Sequence, residues 1–598
     1  MCGICGVLNS SRQAVDQQLI ERMMKPLEPR GPDDGGFSLD HELGFGHRRL
    51  SIIDLSSRSH QPMVDADTGL RIVFNGTIYN YPELRQELQQ RGHQFRSSGD
   101  TEVILKAFAE WGEHCVARLT GMFAFAIWNQ ESRRLFVARD RMGIKPLYYS
   151  HNASGFMFAS DTRSLLASGR VDKAFDAVGL HHHLTLHAVV PAPRTIFRDI
   201  RKVRPAHYMW VESDGAVTEH RYWTLNARRP SRQLSEPEWL EGVHAALKEA
   251  VRRRMEIADV PVGVLLSGGL DSSLLVGLLH HAGVQDLKTF TVGFSDQPEE
   301  AGNEFEYSDP VARQYGTDHH RFLVPDGDLL TRLPEAIDAM SEPIVGQDAI
   351  GFYLLSEQVA KHVKVVQSGQ GADEVFGGYF WYPEMHAAEH ESDLHRFASR
   401  YFDRPHQDWL DTMDPSLHLD HDPTSALVSE LLAESAGEEY LDKVLHMDVT
   451  TLIVDDPVKR VDNMTMAWGL EARVPFLDHE LVEFAASMPP ELKIGGDGKY
   501  ALKAISRGIV PDAVIDRKKG YFPVPALKYV RGEFLDYMSD ALNSTACRGR
   551  GLFQRREVDR LLSEPDQHFT QLQGSKLWHL ALLELWLQSH VDGVSTRA

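Results

Sequence analysis

Residues 260–281 read VPVGVLLSGGLDSSLLVGLLHH, and this stretch decides the fold of the second half of the chain. An apolar run ending at Leu266 is followed by Ser267, Gly268 and Gly269. Leu270 to Ser273 then open a second apolar run that carries Asp271 and Ser272 at its start. A short apolar run bounded by glycine reads as a buried strand, and the longer one as a helix. Glycines let a backbone approach a ligand with no Cβ in the way. The first helical turn presents N–H groups that have no partner inside the helix, and the helix dipole reinforces them. The strand, turn and helix therefore make a nest suited to pyrophosphate, and Asp271 tolerates that anion through Mg²⁺. A glycine turn without a ligand is the bland alternative, but the full S-G-G-x-D-S string after an apolar strand is more specific than a short glycine motif.

Outward from this loop the pattern repeats. KTFTVGF (288–294) is strand-like, and VKVVQSGQGADE (363–374) is a second strand running into a glycine loop. Such alternation predicts a Rossmann-like parallel sheet with helices on both faces. Asp373 and Glu374 leave the second strand into the crevice where ligands of such sheets bind, so Asp271 and Asp373 can share Mg²⁺. From about residue 380 the chain reads as mainly helical. Residues 385–445 hold no functional motif, and lining or shielding an acceptor pocket is the role left for them.

The first part, to residue 225, differs. LRIVFNGTIYNY, GMFAFAIWN, RLFVARD, LYYSH and GFMFAS read as strands, with YPELRQELQQRG and TEVILKAFAEWGEH as amphipathic helices between them. This predicts an α+β sandwich. Residues 226–238 are polar, contain two prolines and read as a linker, and a helix starts at Trp239. The domains expected are thus 1–225 and 239–598.

A chain of 598 residues exceeds what one core supports, in keeping with two domains. Its net charge of -22 argues against a general nucleic-acid binder. Four scattered cysteines exclude a disulfide framework, and no apolar run is long enough to span a membrane. The expected location is the cytoplasm. Cys2 and Cys5 have C-x-x-C spacing, but no second pair or nearby histidines complete a zinc site. Cys2 stands directly behind Met1. If Met1 is removed, one residue carries both a thiol and a free amine; the alternative is a small apolar residue in a first strand, CGICGVL.

The loop at 267–273 resembles the PP-loop of ATP pyrophosphatases, and the whole chain resembles the asparagine synthetase family of class II glutamine amidotransferases. MCGICG, RGPDDGG, GHRRLSIIDLS, FNGTIYN, GDTEVIL and ARDRMGIKPLYY carry the likeness in the first half. LLSGGLDSS, TFTVGF, SGQGADEVFGGY, DNMTMAWGLEARVPFLD and RKKGYF carry it in the second. The resemblance implies a four-layer αββα Ntn-hydrolase sandwich, with Cys2 as N-terminal nucleophile and its own amine as proton shuttle. It makes Asn75 and the Gly76 N–H the oxyanion hole, Arg49 the clamp for the glutamine carboxylate and Asp100 the partner of its ammonium. From the residues alone, Asn75-Gly76 reads as a tight turn. In the second half the resemblance assigns ATP to Leu265, Val292, Ser368 and Gly369. It assigns pyrophosphate and Mg²⁺ to Ser267, Gly268, Gly269, Asp271 and Ser272, with Asp373 as a further metal ligand. Lys519 would stabilise the α-phosphate, with Lys518 its alternative if the register slips by one. An interior channel would carry ammonia between the sites. Partners are small molecules, with neither nucleic acid nor membrane; a homodimer is left open.

Two positions depart from the family pattern. Thr77 stands where asparagine synthetases have Glu in N-G-E-I-Y-N, and Gln370 stands where they have Glu in S-G-E-G. An amide cannot act as a general base or pair with an ammonium group, so Gln370 points to an acceptor without a free amine. Both changes resemble the N-acetylglutaminylglutamine amidotransferase branch, whose acceptor is an acetylated Gln-Gln dipeptide made into a compatible solute. The rival readings are an asparagine synthetase acting on aspartate, a non-catalytic sensor of glutamine and ATP, and a β-lactam-forming synthetase, which Cys2 disfavours.

Overall fold

The computed structural model describes residues 2–10, 13–295, 302–517 and 525–593. Two six-stranded antiparallel sheets build the first part. One runs Arg201–Lys202, Tyr148–Asn152, Gly155–Ala159, Gly3–Leu8, Leu43–Arg49, Asp34–Asp40 in spatial order. The other runs Val217–Arg221, His207–Val211, Arg134–Arg139, Gly121–Asn129, Leu70–Ile78, Met63–Val64. Alternation along each strand sorts the side chains. Ile4 and Leu8 face the second sheet, meeting Val73, Ala126 and Val137, whereas Cys5 and Val7 face the helix Gln17–Met24. On the far side of the second sheet, Phe74, Phe125 and Phe136 pack on Leu84, Leu88, Ile104 and Phe108 of the helices Tyr81–Gln90 and Asp100–Trp111. The layers are helix, sheet, sheet, helix, as the family resemblance implies.

The second part is built on a five-stranded parallel sheet in the order Asp318–Val324, Lys288–Phe294, Val262–Leu265, Val365–Gln367, Glu471–Arg473. Val262 and Val264 pack toward the helices Glu236–Glu256 and Leu270–His281. Phe290 and Val366 pack toward the helix Asp348–Val359, in one core with the helix Lys576–Leu587, which is buried from Leu577 onward. Both faces are therefore covered, as predicted. The fifth strand was not anticipated: it lies in the part expected to be mainly helical, and its glutamate and arginine are fully buried.

The expected linker is shorter and less free than its composition suggests. The helix expected from Trp239 begins at Glu236, because Ser235 and Glu238 form a reciprocal capping box and Pro237 falls in the first turn, where its missing N–H costs nothing. Upstream, Leu225 and Ala227 are buried, and Arg229 pairs with Asp442 at 2.7 Å. Buried charges cross between the two parts: Asp462 holds Arg30 (2.8 Å) and Lys145 (3.2 Å), and Lys202 pairs with Asp455 (2.5 Å) and Glu342 (3.0 Å). Removing one partner from such a pair costs about 3–5 kcal/mol, because it leaves a charge without water or counterion.

Candidate active sites

The first strand delivers Cys2 to a pocket of about 30 Å³ lined also by Arg49, Leu50, Ile52, Gly76, Thr77, Asp100 and Glu471. Asn75 Oδ1 accepts the Cys2 N–H at 3.0 Å, and the Arg30 Nε donates to the Cys2 carbonyl at 3.3 Å. Asn75 and Gly76 lie mid-strand, opposite Ala124 and Phe123, so the turn reading of Asn-Gly is wrong. Glycine is required at 76 because a Cβ there would sit 2.2 Å from the Met122 carbonyl oxygen on the next strand. Arg49 is held by the carbonyls of Ile53, Asp54 and Ser56, which aim a buried guanidinium without neutralising it. Burial pushes the Cys2 thiol up, and the Leu50 N–H and Arg49 offset this only in part, so the thiol needs a base. Burial likewise raises the Asp100 carboxyl to about 6, against the pull of the Ile78 N–H, which donates to it at 3.1 Å. Cys5 is part of the core, burial holds its thiol up at about 12, and all four cysteines are free.

The second cavity, about 210 Å³, opens at the ends of the parallel strands. Its lining contains Leu265, Ser267, Gly269, Asp271, Ser272, Val292, Ser368, Gly369, Gln370 and Asp373. Gly268 is outside the lining and makes the turn instead, at φ +80 and 2.8 Å (for a Cβ) from the Ser308 nitrogen. The Ser267 and Ser272 hydroxyls are 3.1 Å apart across the loop. Asp271 and Asp373 do converge, on the Nζ of Lys499, at 2.6 and 2.8 Å. That convergence shows that one cation can serve both carboxylates, and two carboxylates on a cavity wall are the oxygen donors that Mg²⁺ prefers. Lys519 and Lys518 lie outside the described residues.

A third cavity, about 230 Å³, shares the loop 370–379 with the second. His187, Gln347, Asp348, Glu374, Tyr379, Trp381, Tyr401, Asp448, Asp456 and Arg460 are among the residues that line it. Arg460 pairs with Asp348 (3.0 Å) and Asp456, and the Tyr379 hydroxyl donates to Glu374 at 2.7 Å. Burial, with Asp373 adding repulsion, raises the Glu374 carboxyl to about 8, and burial raises Asp448 to about 7. Of residues 385–445, Tyr401 reaches this lining; Phe397, Val428, Leu432 and Leu441 pack behind it. Gln370 lines the second cavity and is outside the lining of the third.

Sequence reading missed Lys499, Glu471 and the entire third cavity. A lysine in GGDGKYAL reads as a solvated turn residue, and a glutamate in LEARVP as a surface charge. The third cavity is assembled from segments spread between His187 and Gly574, a juxtaposition that no local spacing announces.

The chain matches the glutamine amidotransferase domain family over residues 1–223 and the asparagine synthase family over residues 242–588. It is 33% identical to asparagine synthetase [glutamine-hydrolyzing] 1 of Bacillus subtilis, over 99% of this chain and 97% of that protein. It is 32% identical to asparagine synthetase [glutamine-hydrolyzing] 3 of the same organism, over the full length of both. It is 29% identical to amidase chry2 of Gibberella zeae, over 87% of this chain and 88% of that one. Among the described residues no helix is long and apolar enough to cross a membrane. Two family matches in the same order, together with relatives aligned over nearly every residue, place this chain in the family of glutamine-hydrolysing asparagine synthetases.

Proposed function

We propose that this protein uses glutamine nitrogen and ATP to amidate an acceptor larger than aspartate, an N-acetylated Gln-Gln dipeptide. Family membership makes it a glutamine-dependent, ATP-using ligase; the acceptor is the finer reading. The observation that carries it is the size of the third cavity. At about 230 Å³ it is as large as the 210 Å³ cavity at the glycine loop, with which it shares the segment 370–379. Its chemistry agrees. The amide of Gln347, the aromatic rings of Tyr379 and Trp381, and the carboxyls of Glu374 and Asp448, which burial raises, suit an amide-rich acceptor charged only at its carboxylate.

The chemistry divides between the halves. Once Met1 is removed, the Cys2 amine takes the thiol proton, and the thiolate attacks the glutamine side-chain amide carbon. Asn75 and the Gly76 N–H receive the developing oxyanion; ammonia leaves, and water then releases glutamate from the thioester. In the second half, an acceptor carboxylate oxygen attacks the α-phosphorus of ATP and pyrophosphate departs toward Ser267–Ser272. Asp271 and Asp373 would hold Mg²⁺, which supplies positive charge against the pyrophosphate. Ammonia passing through the interior attacks the acyl carbon, and AMP leaves. An enclosed route matters because ammonia in neutral water is mostly ammonium and not nucleophilic.

Pyrophosphate release with each acceptor tests the proposal. The acetylated dipeptide is expected to exceed aspartate in kcat/KM by about 100-fold or more, the scale on which a site built for hydrogen bonds rejects a ligand lacking them. Equal or better turnover of aspartate would establish the second reading, an asparagine synthetase, which the names of the full-length Bacillus relatives favour. The thiol pocket gives a pH prediction. Asp100 with a pKa near 6 is ionised above that pH and neutral below it, so its attraction for an ammonium group is lost as pH falls. The kcat/KM for glutamine, which reports the free enzyme, should drop as pH falls through about 6, and Asp100→Asn should remove that inflection.

A further inference from the structure

The Thr77 hydroxyl donates to the Glu471 carboxylate, at 3.2 Å to Oε1 and 3.4 Å to Oε2. Thr77 belongs to the amidotransferase sheet and Glu471 to the parallel sheet of the other half, so this contact crosses between them. Glu471 is fully buried yet lines the thiol pocket beside Asp100 and Arg49. The pocket therefore shows one aimed guanidinium and two carboxylates, the complement of an α-amino acid with one carboxylate and one ammonium.

We infer that Glu471, delivered by the synthetase half, is a ligand of the glutamine α-ammonium and supplies the charge that Thr77 lacks. This rests on the reading of the Cys2 pocket as the glutamine site. Arg473 anchors the residue: its Nε donates to Glu471 Oε1 at 2.6 Å, and its Nη1 is fixed by the carbonyls of Arg254 and Ile257, both at 2.8 Å. One carboxylate oxygen is thus tied to the synthetase half while the group as a whole faces the pocket. Burial acts to raise the Glu471 carboxyl, but Arg473 holds it below the usual range, so it is charged when substrate arrives.

Hydrolysis by the full-length enzyme is to be compared for glutamine and for 4-carbamoylbutanoate, which keeps the amide and the carboxylate but has no ammonium. Wild type should favour glutamine. Glu471→Gln should cut that preference by about tenfold or more, the scale of losing one partner of a buried charge pair. Glu471→Asp, which keeps a charge for Arg473 but withdraws it by one methylene, should cut it less and in the same direction. A residue that only anchors Arg473 would weaken both substrates alike; an unchanged preference in both variants overturns the inference. If Asp100→Asn and Arg49→Lys also leave both substrates unaffected, the pocket is not the glutamine site and the underlying reading fails with it.

Discussion

In a Cys2→Ala variant, glutamine-supported amidation is expected to fall by about 10⁴-fold, on the scale of losing the nucleophile from a site whose other groups remain. Amidation supported by ammonium salts at alkaline pH should continue at close to the wild-type rate. The reasons are local. In the proposed mechanism the thiol is the reacting group, whereas the Cys2 backbone is fixed by Asn75 and Arg30, and neither contact uses sulfur. The variant thus keeps its pocket, its contact with the synthetase half and the nucleotide loops. Pyrophosphate release with glutamine or with ammonium as nitrogen source separates the two activities. Persistence of the glutamine-supported rate would remove Cys2 from the mechanism.

The second large effect is expected at Lys499. Its ammonium is the shared counter-charge of Asp271 and Asp373, and it sits in a left-handed conformation, φ +55, directly after Gly498. In Lys499→Met the two carboxylates lose the counter-charge that holds them together before Mg²⁺ arrives, and repel one another. Acceptor-dependent pyrophosphate release should fall by about 10²- to 10³-fold, the usual loss when one charge-stabilising group leaves an active site. Stability should drop by about 2 kcal/mol, less than for a fully buried pair because the carboxylates are 18% and 20% exposed. Glutamine hydrolysis, housed in the other half, should persist. Wild-type pyrophosphate release in this variant would show that Lys499 is only a brace.

The strand–glycine–helix unit at 262–281 was legible because each of its residue types has one dominant physical use: valine and leucine for a buried strand, glycine for close approach, serine and aspartate for the opening turn of a helix. The same holds for Val365–Gln367 and its loop. Asn75-Gly76 misled because the dipeptide that favours tight turns also serves a mid-strand position where a neighbouring carbonyl leaves no space for a Cβ. The start of the helix at Glu236 was hidden by Pro237, which breaks a helix anywhere except in the first turn it occupies here. Glu471 and Arg473 were unreadable for a deeper reason. Charged residues announce a surface, and these two are buried because partners distant in sequence surround them: Thr77 on Glu471, and the carbonyls of Arg254 and Ile257 on Arg473.

The strand Glu471–Arg473 ends one residue pair from the nucleotide loop: the Arg473 carbonyl accepts the Ser368 N–H at 2.9 Å, while Glu471 meets Thr77 some 7 Å back along the backbone, two residues at about 3.3 Å each. An extended peptide hardly stretches, so these three residues set the distance between the Ser368 loop and the wall beside the thiol: one short strand braces a residue of each cavity.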